Sequence, residues 1–242
     1  MRVFITGDPH GDFNHIAEFC EKNNTTTDDV MIILGDAGIN YYLDSRDYNL
    51  KTQLSKLPIT FFCIHGNHEE RPENISTYRL GLKHRIINGA VWVEPEFPNI
   101  LFAHDNFTYG INGKSYYVLG GAYSVDKYYR IARGYKWYES EQNFNLMEFI
   151  EKGLDNNDDF IEQLNSFDNL TILTHTCPYK YVPTEAFLPF IDQSTVDNSM
   201  EYLLNKVEGK IKYGNWYIGH WHINKNVDNI HFLFHDIIEV TK

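Results

Sequence analysis

The chain's apolar pattern predicts an α/β fold of two sheets packed face to face with helices outside them, and three observations carry that reading. Five short apolar runs each end abruptly at a Gly or a polar residue, as buried strands do. About the first 70 residues alternate such runs with helical spacing, a βαβαβ order that gives a mainly parallel sheet covered by helices. Hairpin-like strands then follow, and they call for a second sheet.

The elements are justified in order. Arg2–Thr6 runs into Gly7-Asp8-Pro9-His10-Gly11. Behind it Phe13, Ile16, Ala17 and Cys20 fall at helical spacing after a capping Asp12. Val30–Leu34 leads into Gly35-Asp36, a second helix covers Asp47 to Leu57, and Ile59–Ile64 leads into His65-Gly66-Asn67-His68-Glu69. Ile100–Ala103, Phe107–Ile111 and Ser115–Leu119 read as antiparallel strands. Asn112-Gly113 joins the last two as a type I′ turn. A segment rich in Tyr and Arg spans Tyr123–Tyr138, and helical patterns cover Glu141–Lys152 and Val196–Val207. Between those helices Leu170–Thr174 delivers His175. Trp216–Ile218 then delivers Gly219-His220-Trp221-His222, and Ile230–Ile238 reads as closing strands. Without repeats, low-complexity tracts or Pro/Ser-rich linkers, residues 1–242 read as a single domain.

Composition excludes several classes. The formal charge of −12, with no basic run of five or more, argues against extended nucleic acid as a partner. No apolar stretch approaches the roughly 20 residues that cross a bilayer, so no membrane association is expected. Arg2–Thr6 is too short for the apolar region of a signal peptide. Cys20, Cys63 and Cys177, odd in number and scattered, form neither a disulfide framework nor a thiolate metal site. Cytoplasmic residence is the expectation.

Ligands collect beyond the carboxyl ends of strands in sheets covered on both faces. Asp8, His10, Asp36, Asn67, His175, His220 and His222 are therefore expected on one rim, as a two-metal site. Asp8 and His10 stand two residues apart between glycines that let the backbone turn sharply. Asp36 alone says little, since strand-end Asp residues often cap helices. Asn67 is an uncommon ligand type beside a proton donor, His68. In an extended Gly219–His222 segment both imidazoles face one way while Trp221 faces another. A lone strand-end His is usually a hydrogen-bonded or surface residue. Five strand ends in order, each bearing a ligand type, are not explained that way.

Asp-x-His, Gly-Asp, Gly-Asn-His-Glu, a later His and Gly-His-x-His resemble the motif series of the calcineurin-like metallophosphoesterases, from about Arg2 to His222. The resemblance implies a four-layer α/β/β/α sandwich with two divalent metals at one end. It gives Asp8, His10 and His222 to the first metal, Asn67, His175 and His220 to the second, and Asp36 to both as a bridge. Mixed Asp, Asn and His ligands are compatible with Mn, Fe, Zn or Ni, so availability more than ligand type decides the metal, and Mn²⁺ is the one expected. The implied chemistry is hydrolysis of a phosphate ester by a metal-bridging hydroxide, with His68 as general acid toward the departing alkoxide. Segment 120–141 is similar, more loosely, to bacterial and phage members.

Protein-phosphatase relatives follow the bridging Asp with Val-Asp-Arg-Gly, whereas Asp36 is followed by Ala37-Gly38-Ile39-Asn40. The carboxylate that orients His68 must then come from elsewhere, Glu69 and Asp12 being nearest in sequence. This departure favours a small phosphodiester or phosphomonoester, such as a nucleotide, over a phosphoprotein. A serine/threonine-type protein phosphatase and a catalytically silent protein-binding member are the alternatives. Tyr123–Tyr138 reads either as a substrate lid, with Arg130, Arg133 and Trp137 as contacts, or as a loop packed on its own domain or on a second subunit. His104, at the end of a run feeding a hairpin, is read as structural, as are His231 and His235. His65 is read as lying behind the ligands, and Cys177 as a loop thiol.

Overall fold

Side-chain alternation along the strands decides how the layers stack. The computed structural model describes residues 1–82, 84–187 and 193–240. In chain order the elements are β1 (Val3–Thr6), α1 (Asn14–Asn23), β2 (Val30–Ile33), α2 (Ser45–Leu54), β3 (Thr60–Cys63), β4 (Arg79–Gly81), β5 (Ile87–Asn88), β6 (Val91–Val93), β7 (Ile100–Ala103) and β8 (Phe107–Ile111). β9 (Lys114–Leu119), α3 (Lys127–Arg133), α4 (Phe144–Asn156), α5 (Asp158–Asn165), β10 (Thr171–Thr174), α6 (Ser199–Lys210), β11 (Asn215–Ile218), β12 (Lys225–Val227), β13 (Ile230–Phe232) and β14 (Ile238–Glu239) complete them.

The first sheet has the order β14-β1-β2-β3-β7-β6-β4 and the second β12-β13-β11-β10-β9-β8-β5. β1, β2, β3 and β7 run parallel, as do β9, β10, β11 and β13, and the edges are antiparallel. Val3, Ile5, Val30, Ile32 and Phe62 face the second sheet's Tyr109, Tyr116, Val118 and Leu173 in one core. The alternate residues Phe4, Met31, Ile33 and Phe61 face outward onto Ile16 and Cys20 of α1 and Leu54 of α2. Trp216 and Ile172 turn outward in the same way toward Ile150 of α4, Leu164 of α5 and Leu204 of α6. Period-2 alternation thus gives the inter-sheet core to one half of each strand and the helix layer to the other, which makes the four-layer α/β/β/α sandwich.

Local signals explain the helix ends. Asp12 is not the cap expected for α1. Phe13 stands at that N-cap without a side-chain bond, and Asp12 Oδ1, one residue earlier, accepts from the Asn14 amide at 3.0 Å. Asp44 does cap α2, through the Arg46 amide. Asn143 caps α4, so that helix starts three residues later than its apolar spacing alone predicts. Asn112 and Gly113 both have positive φ, 50° and 78°, as a type I′ turn requires. A second expectation is corrected. Ile100–Ala103 is not part of the antiparallel meander; β7 pairs parallel with β3 and antiparallel with β6 in the first sheet.

Candidate active site

The parallel strands of both sheets point their carboxyl ends at one rim, where the loops after β1, β2 and β3 meet those after β10 and β11. Backbone hydrogen bonds tie the loops together. His10 and Gly11 amides donate to the carbonyls of Asp36 and Ala37 at 2.9 and 3.0 Å, and the Gly219 amide donates to the His175 carbonyl at 3.0 Å. Two glycines permit the approach. A Cβ on Gly66 would stand 2.0 Å from Asp36 Oδ1, and one on Gly35, at φ +93°, would stand 2.2 Å from His175 Nδ1.

All seven side chains expected as ligands come together. Asp36 Oδ2 lies 3.9 Å from His10 Nε2 and 3.6 Å from His175 Nε2. Asp8 lies 3.4 Å from His175 Nδ1 through one oxygen and 3.9 Å from His222 Nε2 through the other. His10 and His222 face each other, Nε2 to Nε2, at 3.0 Å. Asn67 Oδ1 meets His175 Nε2 at 2.8 Å, and the His220 ring packs 4.9 Å from that of His175. The amide of Asn67 is oriented from behind, its Nδ2 donating to Ser124 Oγ at 2.9 Å, so its oxygen faces the centre. His175 Nδ1 is 2.7 Å from the Leu34 carbonyl, a bond that puts a proton on Nδ1, while Nε2, 2.8 Å from Asn67 Oδ1, would give up its own proton to hold a cation.

Left-handed backbone aims several of these side chains. His10, Asp36, His220 and His222 have φ of 47°, 47°, 65° and 49°. Residues other than Gly held there cost on the order of 1–3 kcal/mol each and cluster at functional sites. The Gly219–His222 segment is therefore not extended. The Trp221 amide donates to the Gly219 carbonyl at 2.7 Å, closing a γ-turn around His220. Both imidazoles still reach the rim, while Trp221 stacks on Phe187.

The donor set fits cations. Asp8 is 1% exposed, yet neither of its carboxylate oxygens has a hydrogen-bond partner. A buried carboxylate is costly unless a positive charge stands beside it, and His175, 3.4 Å from Asp8 Oδ1, takes that place. Burial pushes the Asp8 carboxyl well up. His175 shows the same demand from the other side: burial opposes its charge, but Asp36 and then Asp8 carry it up to about 9. Among the described residues, ligand atoms of His10, Asp36 and His68 also lie within 4.8 Å of one another.

His68 has neighbours that sequence proximity does not give. Arg130 Nη2 donates to its Nδ1 at 2.6 Å, and Asp126 Oδ1 lies 3.7 Å from its Nε2. The carboxylates nearest in sequence are used elsewhere. Glu69 is buried beneath the loop, accepting from the Gly66 amide at 3.2 Å, and burial followed by Asp36 pushes it up to about 8. Asp12 serves α1. Beside His10 and His68 opens a cleft of about 580 Å³ lined by Tyr41, Tyr42, Arg46, Asn49, Gln53 and Arg130, among others. Asp47 shapes its wall, taking the Tyr42 and Leu43 amides at 2.8 and 2.7 Å. Arg46 lies over the Tyr42 ring at 3.5 Å.

Of the three substrate contacts expected in segment 123–138, Arg130 lines the cleft. Arg133 lies over Tyr129 at 5.5 Å and Trp137 under Lys127 at 4.0 Å, and neither lines the cleft. His104 stacks on Trp92 and His231 on Tyr217. His104 follows a strand of the first sheet rather than a hairpin run, and its Nδ1 lies 2.8 Å from the Asp105 carbonyl. His235 packs on Phe234, and His65 and Cys177 are buried. Tyr41 and Tyr42 lie outside every motif, and Ser124 and Asp126 lie in the segment 120–141 without a role of their own. The one signal for the first two is that they follow Asp36 closely, on the same rim.

The family model for calcineurin-like phosphoesterases matches residues 1–224. Among solved structures, a crystal structure at 13% identity superposes with a TM-score of 0.51, covering 96% of this chain and 89% of its own. The crystal structure of TT1561 of Thermus thermophilus, at 11% identity, gives 0.49 and covers 99% and 97%. No curated protein sequence matches. At 13% identity the first of these structures speaks for the fold alone, while the family match extends over nearly the whole chain and both halves of the rim. The chain belongs to the calcineurin-like phosphoesterases, hydrolases that cleave phosphate esters at a dinuclear divalent metal site.

Proposed function

We propose that this enzyme hydrolyses a small phosphodiester or phosphomonoester, such as a nucleotide, with Asp8, His10 and His222 holding one cation, Asn67, His175 and His220 the other, and Asp36 shared. The observation that carries the reading is the place of Asp36 Oδ2, within 3.9 Å of His10 and 3.6 Å of His175, which come from different sheets. Two like charges at about 3.5–4 Å need such a shared carboxylate. When bound, the cations supply Lewis acidity toward the phosphoryl oxygens and a nucleophile drawn from water. His68, at the mouth of the cleft, gives its proton to the departing oxygen. Tyr41 and Tyr42 offer flat faces to a base or similar group, a task the sequence pattern assigns to segment 123–138. Mn²⁺ is the proposed metal.

The protein is proposed to work as one domain in the cytoplasm. That proposal draws on three buried free thiols and on the lack, among the described residues, of a helix long and apolar enough to cross a membrane.

Metal-stripped protein assayed with bis-p-nitrophenyl phosphate is expected to be silent and to gain turnover on adding Mn²⁺. Silence with every divalent metal would point to a protein-binding member instead. His68→Asn should keep both metals, counted by elemental analysis, and lose about 10²–10⁴ in rate on alkyl esters. The loss should be smaller with p-nitrophenolate, which leaves without a proton. Equal losses on both leaving groups would remove His68 from the acid role.

A further inference from the structure

The sequence after Asp36 lacks the Asp and Arg that protein-phosphatase relatives carry there, yet an Asp and an Arg stand against His68. Both come from α3 and the residue before it. Asp126 and Arg130 are one helical turn apart, so their side chains meet, with Arg130 Nε donating to Asp126 Oδ2 at 2.8 Å. Arg130 is 9% exposed. Its Nη1 donates to the Lys136 carbonyl at 2.9 Å and its Nη2 to His68 Nδ1 at 2.6 Å. The other Asp126 oxygen, Oδ1, has no hydrogen-bond partner and lies 3.7 Å from His68 Nε2. The pair thus addresses both nitrogens of the ring.

We propose that Asp126 and Arg130 are the positioning residues of His68, supplied from α3 in place of the pair missing after Asp36. The proposal rests on His68 being the proton donor. A guanidinium only donates and does not lose its proton, so the nitrogen it touches carries the lone pair. The neutral ring therefore holds its proton on Nε2, the side of Asp126. The same contact separates His68 from the ligand set. His68 Nδ1 lies 3.9 Å from Asp36 Oδ2, but its lone pair is taken by Arg130 and is not open to a cation. Three of the five guanidinium N–H groups donate within the protein, which fixes the plane of Arg130 against His68.

Two measurements test this. In metal-free protein carrying ¹⁵N-labelled imidazole, long-range ¹H–¹⁵N correlation should show His68 as the Nε2–H tautomer, and Arg130→Met should turn it into a mixture. This arm needs no turnover, so it decides the proposal even if the hydrolase reading fails. With metal restored, Arg130→Met and Asp126→Asn should each lower kcat on alkyl esters by about 10–100-fold, the usual cost of losing an outer partner, with KM within about twofold. Arg130→Lys, which keeps a donor, should recover part of the loss. An Nδ1–H tautomer in the wild type, an unchanged tautomer in Arg130→Met, or an effect confined to KM would overturn the proposal.

Discussion

The rim and the α3 arm both reach the centre, but they are built differently. Rim residues follow buried strands, and their loops are locked to each other by backbone hydrogen bonds and by glycines that leave no room for movement. The arm touches the site through side chains: Arg130 on His68, Ser124 on Asn67, and the Tyr138 hydroxyl on the Tyr41 carbonyl at 2.7 Å. Its outer face leaves Val125, Tyr128, Tyr129, Ile131 and Tyr135 more than half exposed. A rigid rim suits the holding of charge, and a side-chain-attached arm suits the setting of orientation. The difference teaches where losses of each kind should fall.

The largest effect is expected at the rim. Asp36→Ala should abolish metal-dependent turnover, a loss well beyond the about 10–100-fold cost of an outer partner. Elemental analysis should find fewer than two cations bound, while circular dichroism reports an intact fold. Retention of both cations would show that the shared carboxylate is not what holds them together. Next comes the contact between arm and rim. Ser124→Ala frees the Asn67 amide to rotate and should weaken the affinity for one cation by about 10–100-fold, read by competition with a chelator. Equal weakening of both cations would mean that Asn67 does not belong to one of them.

The smallest effect tests the layer behind the rim. Glu201 of α6 accepts from Thr176 Oγ1 at 2.7 Å, and burial pushes it up to about 7. Unfolded, it titrates near 4.5. Between those values the folded protein keeps a proton that the unfolded chain has released. The stabilising contribution is therefore full below pH 4.5, falls as pH rises to about 7, and is gone above it. Glu201→Gln should remove that slope and, at pH 8, raise unfolding stability in urea by on the order of 2 kcal/mol in metal-free protein. An unchanged slope would mean that Glu201 is solvated in solution.

What could be read from the sequence follows the same division. Asp8, Asp36, Asn67, His175 and His220 were legible because each ends an apolar run, and a strand fixes the place of the residue that follows it. The left-handed turn at His220 was not legible, because an imidazole two residues from another reads as extended unless a γ-turn is known to intervene. β7 was misjudged because its apolar run precedes a hairpin in sequence and gives no sign of pairing with β3. Asp126 and Arg130 were invisible as a pair for His68, since 62 residues separate Arg130 from it and no periodicity spans that distance. Tyr41 and Tyr42 are likewise hidden, the first held by the Tyr138 hydroxyl and the second by the Asp47 carboxylate rather than by any pattern of their own.

Asp8, His10, Asp36 and Asn67 hang from one sheet, and His175, His220 and His222 from the other. A cation coordinated by both groups is also a cross-link between the two halves of the sandwich. Its grip is set by concentration: free metal at about 100 times its dissociation constant adds about 2.7 kcal/mol to the folded state. On the proposed ligand assignment, the melting temperature should rise with the metal supply around the protein. Depletion would loosen the seam between the sheets at the end where substrate enters.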